Sequence, residues 1–176
     1  DIHAHPELGF EENRTSALVA KSLEAWGYDV HTGIGKTGVV GVLRNGSSTR
    51  RLGLRADMDA LPLQEHNQFA HRSVVDGVMH ACGHDGHTAM LMAAAQHIAQ
   101  EVDFSGTLNL IFQPAEEHPG GARLMIEQGL FERFPCDAIF AMHNMPGVPA
   151  GHLVFIDGAA LASSDDVTIT LPGLGG

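Results

Sequence analysis

An α/β layered fold with a largely parallel central sheet flanked by helices is predicted by three observations. Short apolar runs of strand length alternate with segments of helix length along the chain. Turn-forming Gly, Asn and Pro residues punctuate the boundaries between them. Clusters of polar, ligand-type residues follow directly on three of the apolar runs, where open α/β sheets build their sites.

Taken in order, residues 11–27 predict a helix, because Leu18, Val19, Leu23 and Trp26 recur at helical spacing and Gly27 suits the stop. Residues 39–44 and 51–56 predict strands, joined by the turn-rich Asn45-Gly46-Ser47-Ser48. Residues 86–100 predict a helix with an almost wholly apolar middle, at 89–95, and therefore a buried one. A continuous apolar strand is expected at 107–112, a short helix at 120–129, a buried strand at 137–142 and a further strand at 152–156. Residues 167–171 alternate Val, Ile and Leu with Thr, as a half-exposed strand does. The small and polar stretch 159–166 reads as a linker. The expected domains are 1–165 and 166–176, the second only the first strand of a truncated domain.

The 176 residues suffice for one domain with a real core, and 44% of them are apolar. No apolar run reaches membrane-spanning length. The formal net charge of −11 argues against nucleic acid or an anionic membrane as partner. Two cysteines, Cys82 and Cys136, give no disulfide framework, and a reducing, cytoplasmic location is expected. The chain opens at Asp1-Ile2-His3 and stops at Gly175-Gly176, which reads as a fragment.

Asp57-Met58-Asp59 follows the strand at 51–56, Gln113-Pro114-Ala115-Glu116-Glu117 follows that at 107–112, and His143 follows that at 137–142. Cys82-Gly83-His84-Asp85-Gly86-His87 precedes the apolar helix. The topology brings these four clusters to one edge of one sheet. Thiolate, imidazole and carboxylate are the donors of zinc, manganese or cobalt. Asp59 and Asp85 could orient a ligand imidazole. Of the adjacent glutamates, one could bind metal while the other moves a proton.

Asp57-Met58-Asp59-Ala60-Leu61-Pro62, Ala81-Cys82-Gly83-His84-Asp85-Gly86-His87, Gln113-Pro114-Ala115-Glu116-Glu117 and Met142-His143-Asn144 resemble the motifs of the M20 metallopeptidases. The likeness is to the amidohydrolase branch, with its hippurate hydrolases, N-acyl amino acid amidohydrolases and plant auxin-conjugate hydrolases. His3-Ala4-His5-Pro6-Glu7 matches too, so the resemblance runs along essentially the whole chain. It implies an incomplete metallopeptidase-like catalytic domain, without the inserted α+β lid domain. It implies two divalent metal ions, zinc or manganese, with cobalt or nickel as alternatives. Cys82 would bridge them, His84, Glu117 and His143 would be further ligands, and Glu116 the general base. Asp59 stands where the family has its orienting acid. Asp57 stands where other branches have a metal-binding His, and is expected to support a ligand. A last ligand His and a lid His are absent, so the fragment is expected to be inactive. The parent would take an N-acyl amino acid and would dimerise through its lid.

Among the other candidates, His87 could face substrate or neighbour the helix start. His3 and His5 are as suited to structure as to the site. His31, His66, His71, His80, His97, His118 and His152 read as surface or satisfied core histidines. Cys136 reads as core packing, and Met79, Met90, Met92 and Met142 as gap-fillers. Two rival functions are a thiol hydrolase with Cys82 as nucleophile and a non-catalytic metal-binding remnant.

Overall fold

The computed structural model describes residues 1–159 and 167–173. Two compact units divide the chain, Asp1–Asn144 and Met145–Gly176. In the first, helix α1 (Asn13–Ala25) leads into strands β1 (Asp29–Ile34), β2 (Gly38–Asn45) and β3 (Arg51–Asp57). Helix α2 (His84–Glu101), strand β4 (Gly106–Gln113), helices α3 (Gly121–Glu127) and α4 (Leu130–Arg133), and strand β5 (Ala138–Ala141) follow. The five strands form one sheet in the order β1-β2-β4-β3-β5.

The sheet is mixed, where the sequence predicts a largely parallel one. β1 pairs β2 and β2 pairs β4 antiparallel, while β4, β3 and β5 run parallel. The difference comes in part from the short link between Asn45 and Arg51, which reverses β2 against β3 and hence against β4. It comes in part from β1, a strand the apolar pattern does not reveal because only Ile34 of its six residues is buried. The turn at Gly35, Lys36 and Thr37, with positive φ at Gly35 and Lys36, folds β1 back on β2, and so short a link permits only antiparallel pairing.

Helices cover both faces of the sheet. Val39, Leu108, Leu110 and Phe112 face α1 and α2, packing on Val19, Leu23, Leu91 and Ala95. Val40, Val42 and Ile111 face the other way, onto Met125, Leu130 and Phe134. This two-sided burial explains why β2 and β4 read as unbroken apolar runs. Each such fully buried large side chain contributes about 1.5–3 kcal/mol. Helix α1 starts under the Glu7 carboxylate, which accepts the Arg14 and Thr15 backbone N–H groups, both at 2.8 Å. Those donors have no partner inside the helix, so an anion there satisfies them.

α2 links β3 to β4 and runs back along the sheet, so its N-terminus returns to the edge where β3 and β4 end. It is buried on one side only: Thr88, Leu91 and Ala95 face the sheet, while Met90 is 42% exposed. β5, expected to be buried, is an edge strand whose Phe140 is 63% exposed, since it pairs with β3 alone and no described helix covers it. Met142 is likewise exposed rather than a gap-filler.

In the unit Met145–Gly176, residues 152–156 and 167–171 form no strand, in contrast to the expectation. Alternating apolar side chains do not make a strand without a ladder partner, and among the described residues neither segment has one. The expected domain boundary at 165–166, and the linker apart from Ala159, lie outside the described residues. Among the described residues no helix is long and apolar enough to cross a membrane.

Candidate metal centre

The parallel trio sets the site. Asp57 pairs with Gln113 at the ends of β3 and β4, and Arg55 with Ala141 at the end of β5. Asp59, Glu116, Glu117 and His143 therefore leave the same edge, and the N-terminus of α2 brings Cys82, His84 and His87 to it.

Local geometry does the rest. Gly83 caps α2 with φ +85°, and a Cβ there would meet the Asn144 side chain at 2.5 Å. Only glycine lets the chain turn there so that Cys82 and His84 flank the bend. After β4, Ala115 also takes positive φ. Its N–H donates to Oε1 of the fully buried Glu12 (2.8 Å), and its carbonyl accepts from Gly121 N–H (2.8 Å). The next turn presents Glu116 and Glu117, and the Glu117 N–H donates to Asp59 Oδ2 at 2.9 Å.

His84 lies at the centre and is wholly buried. Its Nδ1 is 3.1 Å from Asp59 Oδ1. The carboxylate can only accept, so Nδ1 carries the proton, and in the neutral ring Nε2 keeps its lone pair. Nε2 is buried without a hydrogen-bond partner. It faces Asp57 Oδ2 at 3.7 Å and Glu116 Oε2 and Glu117 Oε1 at 3.8 Å each. Burial opposes charge on this ring, yet Asp59 and the neighbouring carboxylates raise its pKa on balance. Those separations are too long for hydrogen bonds. They are close to the spacing of about 3.4 Å between ligand atoms that share one tetrahedral zinc.

Cys82 Sγ lies 3.4 Å from His143 Nε2, and both ligand atoms group with that of His84 within 4.8 Å. His84, Glu116 and Glu117 form a second such group. His143 Nδ1 donates to the Asn144 carbonyl (2.6 Å), which leaves its Nε2 free to ligate. Burial first, then Glu117, Glu116 and Asp57, push the Cys82 thiol up to about 12. A divalent cation reverses that balance, because coordination deprotonates the thiol and offsets the carboxylates. The orphaned His84 nitrogen and this donor set fit such a cation.

Asp57, His84 and His87 form a third group within the same limit. Here the donors are already engaged. Asp57 Oδ1 meets His87 Nδ1 at 2.6 Å and Oδ2 meets Arg55 Nη1 at 2.7 Å. Burial raises the Asp57 pKa, but His87 and Arg55 outweigh it and hold the carboxyl below its ordinary value. The Asn144 N–H donates to His87 Nε2 at 2.9 Å. His87 and Asn144 thus brace the chain beside His143, a role their motif does not announce. His5 sits on the Asp1 carbonyl, away from this cluster. His80, expected as a surface or satisfied histidine, is buried with both ring nitrogens unpartnered, and burial lowers its pKa to about 4.

A buried imidazole and a thiol among carboxylates, at the ends of parallel strands in a mixed α/β sheet, form a donor cluster that a divalent cation would fit. The chain belongs to peptidase family M20/M25/M40, whose model matches residues 53–170. It is 54% identical over 175 residues to the hippurate hydrolase of Campylobacter jejuni, covering 99% of this chain and 45% of that protein. It is 43% identical to thermostable carboxypeptidase 1 of Saccharolobus solfataricus, again over 99% of this chain and 45% of that protein. Among solved structures it resembles the Bacillus subtilis YXEP protein, a dinuclear metal binding peptidase of family M20. There the TM-score is 0.79 at 41% identity, over 85% of this chain and 42% of that one. The chain thus spans less than half the length of these relatives.

Proposed function

We propose that the protein carrying this chain is a metal-dependent amidohydrolase that cleaves the amide bond of N-acyl amino acids. The observation that carries this reading is the buried, unpartnered His84 Nε2, facing Glu116 and Glu117 with Cys82 and His143 beside it. Cys82, His84, Glu117 and His143 would hold divalent cations, and the dinuclear relative supports two of them. Bound there, such ions would polarise a carbonyl and acidify a water. Glu116 takes the proton as water adds to the carbonyl carbon and returns it to the amine nitrogen as the C–N bond then breaks, which leaves a carboxylate and a free amine. Burial and then the adjacent Glu117 raise the Glu116 pKa, which suits a carboxylate that must both take and give a proton. Asp59 fixes the His84 tautomer. The hippurate hydrolase relative supports an acylated amino acid as substrate.

A thiol hydrolase has one observation in its favour, the Cys82–His143 contact. The carboxylates around Cys82 oppose the thiolate such an enzyme needs. Metal content and kcat on hippurate, measured for Glu116→Gln and Glu117→Gln in the full-length protein, test the assignment. Glu116→Gln should keep its metal and lose about 100- to 10,000-fold in kcat. Glu117→Gln should bind metal weakly and recover part of its activity in excess zinc. The opposite pattern reverses the roles, and activity that survives EDTA removes the metal mechanism.

A further inference from the structure

A second polar cluster lies behind the first turn of α2. His3 Nδ1 is 2.8 Å from Asp85 Oδ2, and His3 Nε2 is 3.2 Å from Glu65 Oε1. Carboxylates accept but do not donate, so both ring nitrogens carry protons and His3 is an imidazolium held between two acids. Burial works against that charge, and the bonds from Glu65 and Asp85 overcome it, so the net shift of His3 is upward. Glu65 is anchored independently, accepting from Ser73 N–H at 2.5 Å and Asn67 Nδ2 at 2.9 Å. Those two bonds in that order, with His3 after them, hold its carboxyl down to about 2. Phe69, His71 and His80 pack around the His3 ring, with centroids 5.6–6.3 Å away.

Two of the three tethered segments lead to the proposed metal ligands. Asp85 immediately follows His84 in the first turn of α2. Glu65 belongs to the stretch between Leu61 and Met79, which pair with each other at its base and enclose no helix or strand. That stretch runs straight on through His80 and Ala81 into Cys82. Gly83, between Cys82 and His84, offers no side chain to stiffen the bend. The relative placing of the two ligands therefore depends on what holds the chain on either side, and His3 is bonded to both sides.

We infer that His3 is a positioning residue for the metal centre. By bridging Glu65 and Asp85 it locks the segment that delivers Cys82 against the helix turn that delivers His84. This rests on the metal-centre reading above.

The test is zinc affinity by chelator competition, with the thermal midpoint of the metal-free form, in the full-length protein. His3→Gln should weaken zinc binding about 10-fold or more, the range for partners that orient ligands. His5→Gln should leave it unchanged. Adding Glu65→Gln to His3→Gln should restore part of the affinity, because the acid left without its cation is then neutral. A fall in midpoint with zinc affinity within about 2-fold of the parent makes His3 a merely structural tie and overturns the inference. Should His3→Gln fail to fold, Glu65→Gln alone decides: a smaller loss of affinity upholds the lock, and none overturns it. Cys82→Ala separates the two levels. If it binds zinc like the parent, the metal centre itself is misassigned and the inference falls with it.

Discussion

Asp59→Asn changes one buried charge and almost no volume, and its consequences follow from hydrogen-bond counting. The two oxygens of Asp59 serve His84 Nδ1–H at 3.1 Å and Glu117 N–H at 2.9 Å. Asparagine keeps one acceptor and turns an NH2 group toward the other position. If the NH2 faces Glu117, a buried backbone donor loses its partner, at a cost of about 1–3 kcal/mol. If it faces His84, the ring must switch tautomer to accept. Nε2 then carries a proton and loses the lone pair a metal would use. Read as metal affinity, loss of an orienting partner is worth about 10–100-fold. That is about 1.4–2.8 kcal/mol of binding free energy at 1.4 kcal/mol per decade.

The pH dependence gives a second reading of the same change. Burial opposes ionisation of Asp59, but the bonds from His84, Glu117 and Glu116 outweigh it and lower its pKa below the ordinary 3.8. A lowered folded value means that the carboxylate's contribution to stability is complete above the ordinary value. It is lost as pH falls through the folded value. Asparagine does not titrate, so the acid limb of the variant should be shallower. Urea midpoints of the metal-free protein between neutral pH and about pH 3, with zinc affinity at neutral pH, test both. Parent-like zinc binding with an unchanged acid limb would refute the tautomer argument.

Glu12→Ala leaves the Ala115 N–H and the Thr37 hydroxyl without their buried acceptor, and urea unfolding should show a loss of about 2–4 kcal/mol. Glu12→Gln should cost less. Burial raises the Glu12 carboxyl above 4.5, so its contribution is present below that value and fades as pH rises through the folded one. The gap between parent and Gln variant should therefore narrow toward neutral pH; a widening gap would show that the sign is wrong. Gly121→Ala would set a Cβ 1.8 Å from the Pro114 carbonyl oxygen. It should lower stability by about 1–3 kcal/mol and displace Glu116 and Glu117, so an unchanged thermal midpoint would contradict the packing.

What the sequence made legible is what periodicity and donor chemistry can express. Helices α1 and α2 and strands β2, β3 and β4 announce themselves through apolar spacing, and Cys82, His84, Glu116, Glu117 and His143 through their place just beyond those elements. Strand β1 was not legible, because Asp29, His31 and Thr32 lie on an edge that needs no apolar face. The buried partners were hidden for a related reason. Nothing near Glu12 in sequence shows that it will accept the Ala115 N–H from across the fold. Nor does any local pattern tie His3 to Glu65, because that bond exists only once three distant segments meet.

The candidate donors converge although the sheet is mixed, and the topology explains why. The antiparallel pairings, β1 with β2 and β2 with β4, lie on one side of the sheet. Every proposed ligand comes from the other side, where β4, β3 and β5 run parallel and α2 returns to their common end. Parallel neighbours end together, so residues that follow them converge whatever the far strands do. Antiparallel β2 reaches that edge with its beginning, at Gly38 and Val39, and contributes support rather than donors. Thr37, just before it, bonds Glu12, and Glu12 holds the backbone that presents Glu116 and Glu117. The antiparallel half of the sheet thus acts on the site in part through a buried carboxylate. For that reason a change at Glu12, far in sequence from any proposed ligand, should be felt at the glutamate pair before it is felt at Cys82 or His143.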